Sequence, residues 1–405
     1  MKKIIRACTV SQSIGFVRGM LPDLMKKYEV VLLSSPGKEM DEATTQFGVR
    51  GIRVPMERHI SLTRDIVSLW RIIKIFRREK PDMVHSMTPK AGLLCMVAGC
   101  LTRVPVRIHT FTGLVFPTST GLKRRILMLT DSITCRCATH VIPEGEGVKS
   151  DLQNNGITKK PLRVLGYGNV KGVDMTLYSI ENFKLRIENY PPVKKEQIKE
   201  VLKKTPLFTF LFVGRIVGDK GINELCSAFK RLHAEHPQTR LWLIGSFEES
   251  LDPVSPETKA LIIEEQNGIE AVGVKRGDGL LAYYAASDCF VFPSYREGFP
   301  NTVLEAGAMG LPSIVTDING SREIIVDGKN GMIIPSKDEQ ALYEAMKRMV
   351  EDPTTREQMA ANARPMIADR FEQGFVRQCL YDFYDEIMEG KLTALDELQN
   401  LNTEL

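Results

Sequence analysis

A chain of 405 residues with 43% hydrophobic and 26% charged residues has an ordinary globular composition, too long for one core and sized for two domains of about 200 residues each. Its formal charge of +4 conceals a division: residues 1–175 hold 28 Lys/Arg against 14 Asp/Glu, and residues 176–405 hold 26 against 36, so the two parts are +14 and −10. Disordered and repeat chains are excluded, while the basic part admits nucleic acid, an anionic membrane face or a phosphate-bearing substrate as partner.

Taken in chain order, Met1-Lys2-Lys3-Ile4-Ile5-Arg6 is basic, but its apolar run stops at Arg6, too short for a signal-peptide core. No window reaches the ~18 apolar residues of a membrane span, because Arg or Lys interrupts every greasy stretch. A cytoplasmic protein is expected. Short β-rich runs then alternate with helical patterns: Val30–Leu33, Asp82–His85, Val106–His109 and His140–Ile142. Such alternation predicts a parallel sheet with crossover helices. Between two of these runs, Ile66, Leu69, Trp70, Ile73 and Phe76 recur at helical spacing, with Arg71, Lys74, Arg77 and Arg78 on the other side. Two readings stand for this amphipathic helix: one lying on the sheet, or one whose basic face meets a membrane.

The pattern restarts at Phe208–Val213, continues through a helix from about Ile222, and adds strands at Leu241–Gly245, Cys289–Phe292, Ser313–Val315 and Met332–Ile334. Between the two units, Leu165–Asp174 carries three glycines, and a polar stretch from Ile180 to Thr205 carries Pro191 and Pro192, so the hinge is expected there. The reading is α/β: two Rossmann-like, doubly wound domains, residues 1–170 and 171–370, facing a central cleft. Helices in 371–405, with Phe375, Leu380, Phe383 and Ile387 on one side, are expected to pack back on the first domain. The eight cysteines lie mostly in apolar segments without zinc-ligand spacing and read as reduced thiols.

The candidate chemistry sits in the second unit. Gly214-Arg215 ends a strand and Lys220-Gly221 opens the next helix, which sets free backbone N–H groups beside two cations, as a diphosphate requires. On its own, Gly-Arg after a strand is more often just a turn. More informative is Ser294-Tyr-Arg-Glu297-Gly-Phe-Pro300-Asn-Thr-Val-Leu-Glu305: a strand delivers the chain to Glu297, Pro300 starts a helix, and Glu305 follows on its body. Ligands of open α/β sheets bind outside the carboxyl ends of the strands. A nucleotide sugar would offer hydroxyls at both its ends with a diphosphate between them: Glu297 would take its sugar hydroxyls, Glu305 its ribose hydroxyls, and the amides of Asn301, Thr302 and Val303 its phosphate. Surface capping or pairing is the other reading of Glu305.

Glu297-x7-Glu305 with Gly298, Pro300 and Asn301, preceded by Gly214-Arg215-x4-Lys220-Gly221, resembles the donor site of the retaining family 4 glycosyltransferases of GT-B fold. The likeness covers nearly the whole chain. His85-Ser-Met-Thr-Pro89-Lys90-Ala-Gly92 and Pro105-Val-Arg-Ile-His109-Thr-Phe-Thr-Gly113 are similar to members that extend lipid-linked saccharides in bacterial capsule and O-antigen pathways. The resemblance implies a nucleotide diphosphate sugar as donor, usually of uridine, and retention of configuration. It implies that Arg215 and Lys220 hold the diphosphate, Gly15 in the Ser11–Gly15 loop approaches it, and His109 reaches the transferred sugar. It implies further that Arg58, His85 and Lys90 meet a lipid-diphosphate-linked acceptor. One departure is Asn319-Gly320-Ser321-Arg322-Glu323, where the family carries a glycine pair and a proline.

No Asp-x-Asp occurs, so the cations replace a metal, and no cofactor is expected. His109 keeps a structural reading as a buried strand residue. A non-hydrolysing nucleotide-sugar epimerase of the same fold is the alternative; nucleic-acid binding would leave Glu297 and Glu305 without a role. A peripheral place on the inner face of the cytoplasmic membrane follows from the +14 part. Arg71, Lys74, Arg77, Arg78, Lys123, Arg124 and Arg125 are its contacts, held by charge and released by salt.

Overall fold

Runs such as Val30–Leu33 and Phe208–Val213 carry apolar side chains on both faces, which suits only a parallel sheet with helices on each side. The computed structural model describes residues 1–57, 61–203, 207–248, 252–264 and 267–390, and contains two such sheets, each of six parallel strands. The first comprises β1 (Lys3–Ala7), β2 (Glu29–Ser34), β3 (Arg50–Arg53), β4 (Met83–Met87), β5 (Val106–Phe111) and β6 (His140–Pro143), ordered 3-2-1-4-5-6. The second comprises β7 (Phe208–Val213), β8 (Thr239–Ile244), β9 (Ile269–Ala271), β10 (Cys289–Phe292), β11 (Ser313–Thr316) and β12 (Gly331–Ile334), ordered 12-11-10-7-8-9. Counted from its own first strand, the second sheet repeats the order of the first. In each, the order reverses beside the first strand, which opens a crevice at the strands' carboxyl ends.

Contacts divide the chain into one unit of residues 1–171 with 374–390 among the described residues, and a second of residues 172–373. Within the second unit the outgoing and returning passes of the chain pair with each other: Val173 N–H donates to Phe371 O (2.8 Å) and Gln373 N–H to Val173 O (3.0 Å). Gly172 is required there, since its φ of 68° is left-handed and a Cβ would lie 2.4 Å from Gln373 Cα.

On one face of the first sheet lie α1 (Leu62–Glu79), α2 (Pro89–Leu101) and α3 (Gly121–Cys137), which share a core through Ile72, Phe76, Cys95, Met96 and Cys135. The opposite core includes Leu380, Phe383, Tyr384 and Ile387. One expectation needs correction. In α1 the apolar stripe does not all face inward: Ile73 and Phe76 are buried, but Ile66 (57% exposed) and Trp70 (59%) face solvent. The polar stretch after residue 179 holds two helices, α4 (Ile180–Glu188) and α5 (Pro192–Leu202). Ser179 caps α4 by accepting from Asn182 N–H, and Phe183, Ile187 and Ile198 enter the second core. Of the cysteines, Cys8, Cys95, Cys135, Cys226 and Cys289 are buried and Cys100 is exposed, all as free thiols.

Candidate active site

The site grows from the carboxyl ends of β7 and β10. Gly214 N–H completes the sheet by donating to Ile244 O (3.0 Å), and Gly245 lets β8's end pass, since a Cβ there would lie 1.7 Å from Gly214 O. The loop then reaches Gly221, with φ of 69° and room for no Cβ, which would meet Pro293 O at 2.1 Å. That close approach brings the Lys220 ammonium onto the Glu297 carboxylate, where Ser294 Oγ also donates (3.0 Å) to the same oxygen. The Lys220 and Glu297 side chains are only 11% and 18% exposed, so the pair interacts more strongly than a surface ion pair.

Arg215, the other expected cation, pairs with Glu248 (2.8 Å), a partner that no motif announced. Arg296 is tied to Asp219 (3.0 Å), whose carbonyl accepts from Tyr295 N–H, so the loops bearing Lys220 and Glu297 are joined along their length.

Helix α6 (Ile222–Glu235) follows the first of these loops. The second leads into α7 (Asn301–Ala308), whose start is Pro300 and which carries Asn301, Thr302, Val303 and Glu305. Gly320 keeps the departing loop close: a Cβ there would lie 2.3 Å from Gly298 O, and Glu323 accepts from its N–H (3.1 Å). The carboxylate of Glu305 accepts from Tyr284 O–H (3.2 Å) and faces the Tyr178 hydroxyl. Burial and that carboxylate push both phenols up, so they remain donors. Neither tyrosine was legible: Tyr284 sits in an apolar run, and Tyr178 in the hinge region. Arg364 fixes that segment by donating to Met175 O (2.7 Å), Tyr178 O and Ala308 O.

The residues expected in the first unit fare differently. His109 is buried on β5, with Nδ1 2.9 Å from Ser86 Oγ, and α2 accommodates it through Gly92, where a Cβ would lie 2.4 Å from the ring. Burial depresses its pKa to about 3, so the ring is neutral. His85, expected at the acceptor, is 1% exposed on central strand β4 and meets Arg6 (3.0 Å), Thr110 (2.7 Å) and Tyr384 (2.5 Å), all in its own unit. The period of the strand turns it toward the inner core. Lys90 is paired with Asp65 (2.7 Å). Gly15 is exposed, and a Cβ there would touch nothing. Arg58 lies outside the described residues.

Residues 19–168 match the model of a family described as "Glycosyl transferase 4-like domain", and residues 193–366 that of "Glycosyl transferases group 1". The chain is 33% identical over 397 residues to the capsular polysaccharide biosynthesis glycosyltransferase CapM of Staphylococcus aureus, covering 96% of this chain and 99% of that protein. It is 27% identical over 339 residues to the UDP-Gal:alpha-D-GlcNAc-diphosphoundecaprenol alpha-1,3-galactosyltransferase of Escherichia coli, covering 80% of each. The structure of HepE from Anabaena with UDP-glucose superposes with a TM-score of 0.76 at 17% identity, over 95% of this chain and 100% of that one. Two parallel α/β units of one topology, matched end to end in this way, define a glycosyltransferase of GT-B fold. This chain belongs to the family 4 glycosyltransferases and is similar to enzymes that build bacterial capsule and O-antigen saccharides.

Proposed function

We propose that the protein transfers a sugar, with retention of configuration and without a metal, from a UDP-sugar to a lipid-diphosphate-linked saccharide in bacterial surface polysaccharide synthesis. The observation that carries this reading is the Lys220–Glu297 pair, held by Ser294 at the carboxyl edge of the second sheet, with Glu305 on the helix that follows. Lys220 and Arg215 would stabilise the leaving diphosphate, and the amides at Asn301, Thr302 and Val303 at the start of α7 would meet its oxygens, that of Val303 by sharing the N–H it gives to Pro300 O (3.1 Å). Glu297 would hold sugar hydroxyls and Glu305, aimed by two phenols, the ribose. In the first unit, neutral His109 can accept or donate a hydrogen bond to the transferred sugar but carries no charge to it. Gly15 and Lys90 would meet donor and acceptor phosphates. The acceptor class is supported by the printed activity of the Escherichia coli relative, and the donor by the UDP-glucose in the HepE structure. The family assignment favours transfer over epimerisation, and donor incubated without acceptor separates the two.

A lipid-borne acceptor also calls for peripheral attachment at the inner face of the cytoplasmic membrane, and no described helix is long and apolar enough to cross it. The test is nucleoside diphosphate release across a panel of donors with a lipid-diphosphate-linked monosaccharide as acceptor. Release of UDP with an anomer-retained product is expected, undiminished by excess chelator. Loss of activity in chelator, restored by magnesium, would overturn the metal-free part; no release with any donor would overturn the whole.

A further inference from the structure

In α3, Leu122, Ile126 and Leu129 recur at i, i+4 and i+7, the spacing of a core-facing stripe, yet they are 72%, 40% and 61% exposed. The helix meets its core with other residues, among them Leu127, Met128 and Cys135. In α1, Ile66, Val67 and Trp70 repeat the anomaly on the solvent side, while Ile72, Ile73 and Phe76 serve the core. Both helices pack against α2. Because every strand of this sheet is parallel, both also begin at its carboxyl edge, so the two apolar groups lie at one end of one layer.

The charge around them has one sign. Arg71, Lys74, Lys123 and Arg125 are exposed, and none forms an ion pair among the described residues. The carboxylates of the same helices do not offset them: Asp65 is tied to Lys90, Glu79 is buried against Lys3 and Arg50, and Asp131 is buried.

We propose that the outer faces of α1 and α3 form one membrane-docking surface. Ile66, Val67, Trp70, Leu122, Ile126 and Leu129 enter the acyl boundary of an anionic leaflet, and the four cations meet its headgroups. This deepens the peripheral attachment proposed above and rests on that reading for the choice of lipid as partner. Charge selects lipid over a second copy of this chain, which would bring the same cations to the same face. Attachment by charge alone would be released by salt; attachment through this face keeps an apolar component that salt does not screen.

The two tryptophans make the test specific, since Trp242 is only 4% exposed and Trp70 is 59% exposed. With the full chain and vesicles of phosphatidylcholine with phosphatidylglycerol, Trp70 emission should shift to the blue and be quenched by brominated lipid. Both effects should vanish in Trp70→Phe. Combined L122S, I126S and L129S should lower the vesicle-bound fraction at least about tenfold, including at about 1 M salt, where screening is complete within about 3 Å. The same variant should match wild type in transfer to a water-soluble acceptor without vesicles. Unchanged Trp70 emission with anionic vesicles overturns the proposal. So does equal partition of the triple variant, or a wild-type dimer that this variant disperses, which would assign the face to a second copy. Wild type that sediments but transfers nothing would leave the docking surface standing and remove the enzymatic reading.

Discussion

Lys220 and Glu297 neutralise each other, so each substitution there exposes its partner as well as removing a contact. Lys220→Ala leaves the Glu297 carboxylate with Ser294 Oγ as its remaining described donor. Turnover should fall by about two orders of magnitude, the usual effect of deleting one group that stabilises developing charge. Glu297→Ala should likewise lower kcat more than it raises donor KM. For Glu305→Gln the order reverses: donor binding should weaken by about 1.5–3 kcal/mol with kcat largely kept. Steady-state kinetics on folded variants checks all three, and wild-type values in either glutamate variant would refute its role. The phenols extend the argument, because Tyr178 and Tyr284 both meet the Glu305 carboxylate. Tyr178→Phe and Tyr284→Phe should each raise donor KM severalfold, and neither should add to Glu305→Gln, since both act through that carboxylate.

Among the elements, the strands were legible because a β-rich run bounded by turn residues has one reading in an alternating α/β chain. The loops of the candidate site could be picked out for a related reason: Gly214, Lys220, Gly221 and Glu297 are close in two short segments that follow strands. Gly221 shows how strictly backbone geometry holds this loop. Gly221→Ala meets both a left-handed φ and the Pro293 carbonyl, and should cost at least about 2 kcal/mol in urea unfolding while separating Lys220 from Glu297. What sequence spacing could not give is which side of a helix finds a partner. Ile66 and Trp70 have the period of buried residues, and only the packing of α1 on α2 leaves them outside. Helices α4 and α5 went unread because three buried side chains, Phe183, Ile187 and Ile198, are too few to raise a periodic signal among so many charges. Glu248, Tyr178 and Tyr284 depend on tertiary proximity, to which spacing is blind.

At the scale of the whole molecule, the two units should respond differently to acid. His85, His109 and His140, all in the first unit, are held neutral by burial, with pKa values depressed well below the ordinary range, to about 3 for His109 and about 4 for His140. The unfolded chain binds a proton at each as pH falls through ~6.5, and the folded unit does not. Their stability is therefore intact above pH ~6.5 and declines toward pH ~4, by up to about 1.4 kcal/mol per pH unit for each histidine. Hydrogen exchange resolved by peptide should show the first unit opening earlier; equal protection of both units at pH ~5 would refute this. The path of the chain sets a second asymmetry. Leu380, Phe383 and Tyr384 complete a core of the first unit, and the Tyr384 hydroxyl is shared between Arg6 and His85. A chain ending at residue 373 should retain a cooperatively unfolding second unit while its first unit binds hydrophobic dyes. During synthesis, therefore, the order of emergence is not the order of completion. Residues 172–373 are continuous and can close as soon as they leave the ribosome. The half that is made first must wait, with an apolar groove open, for Leu380, Phe383 and Tyr384, which are made only after the second unit.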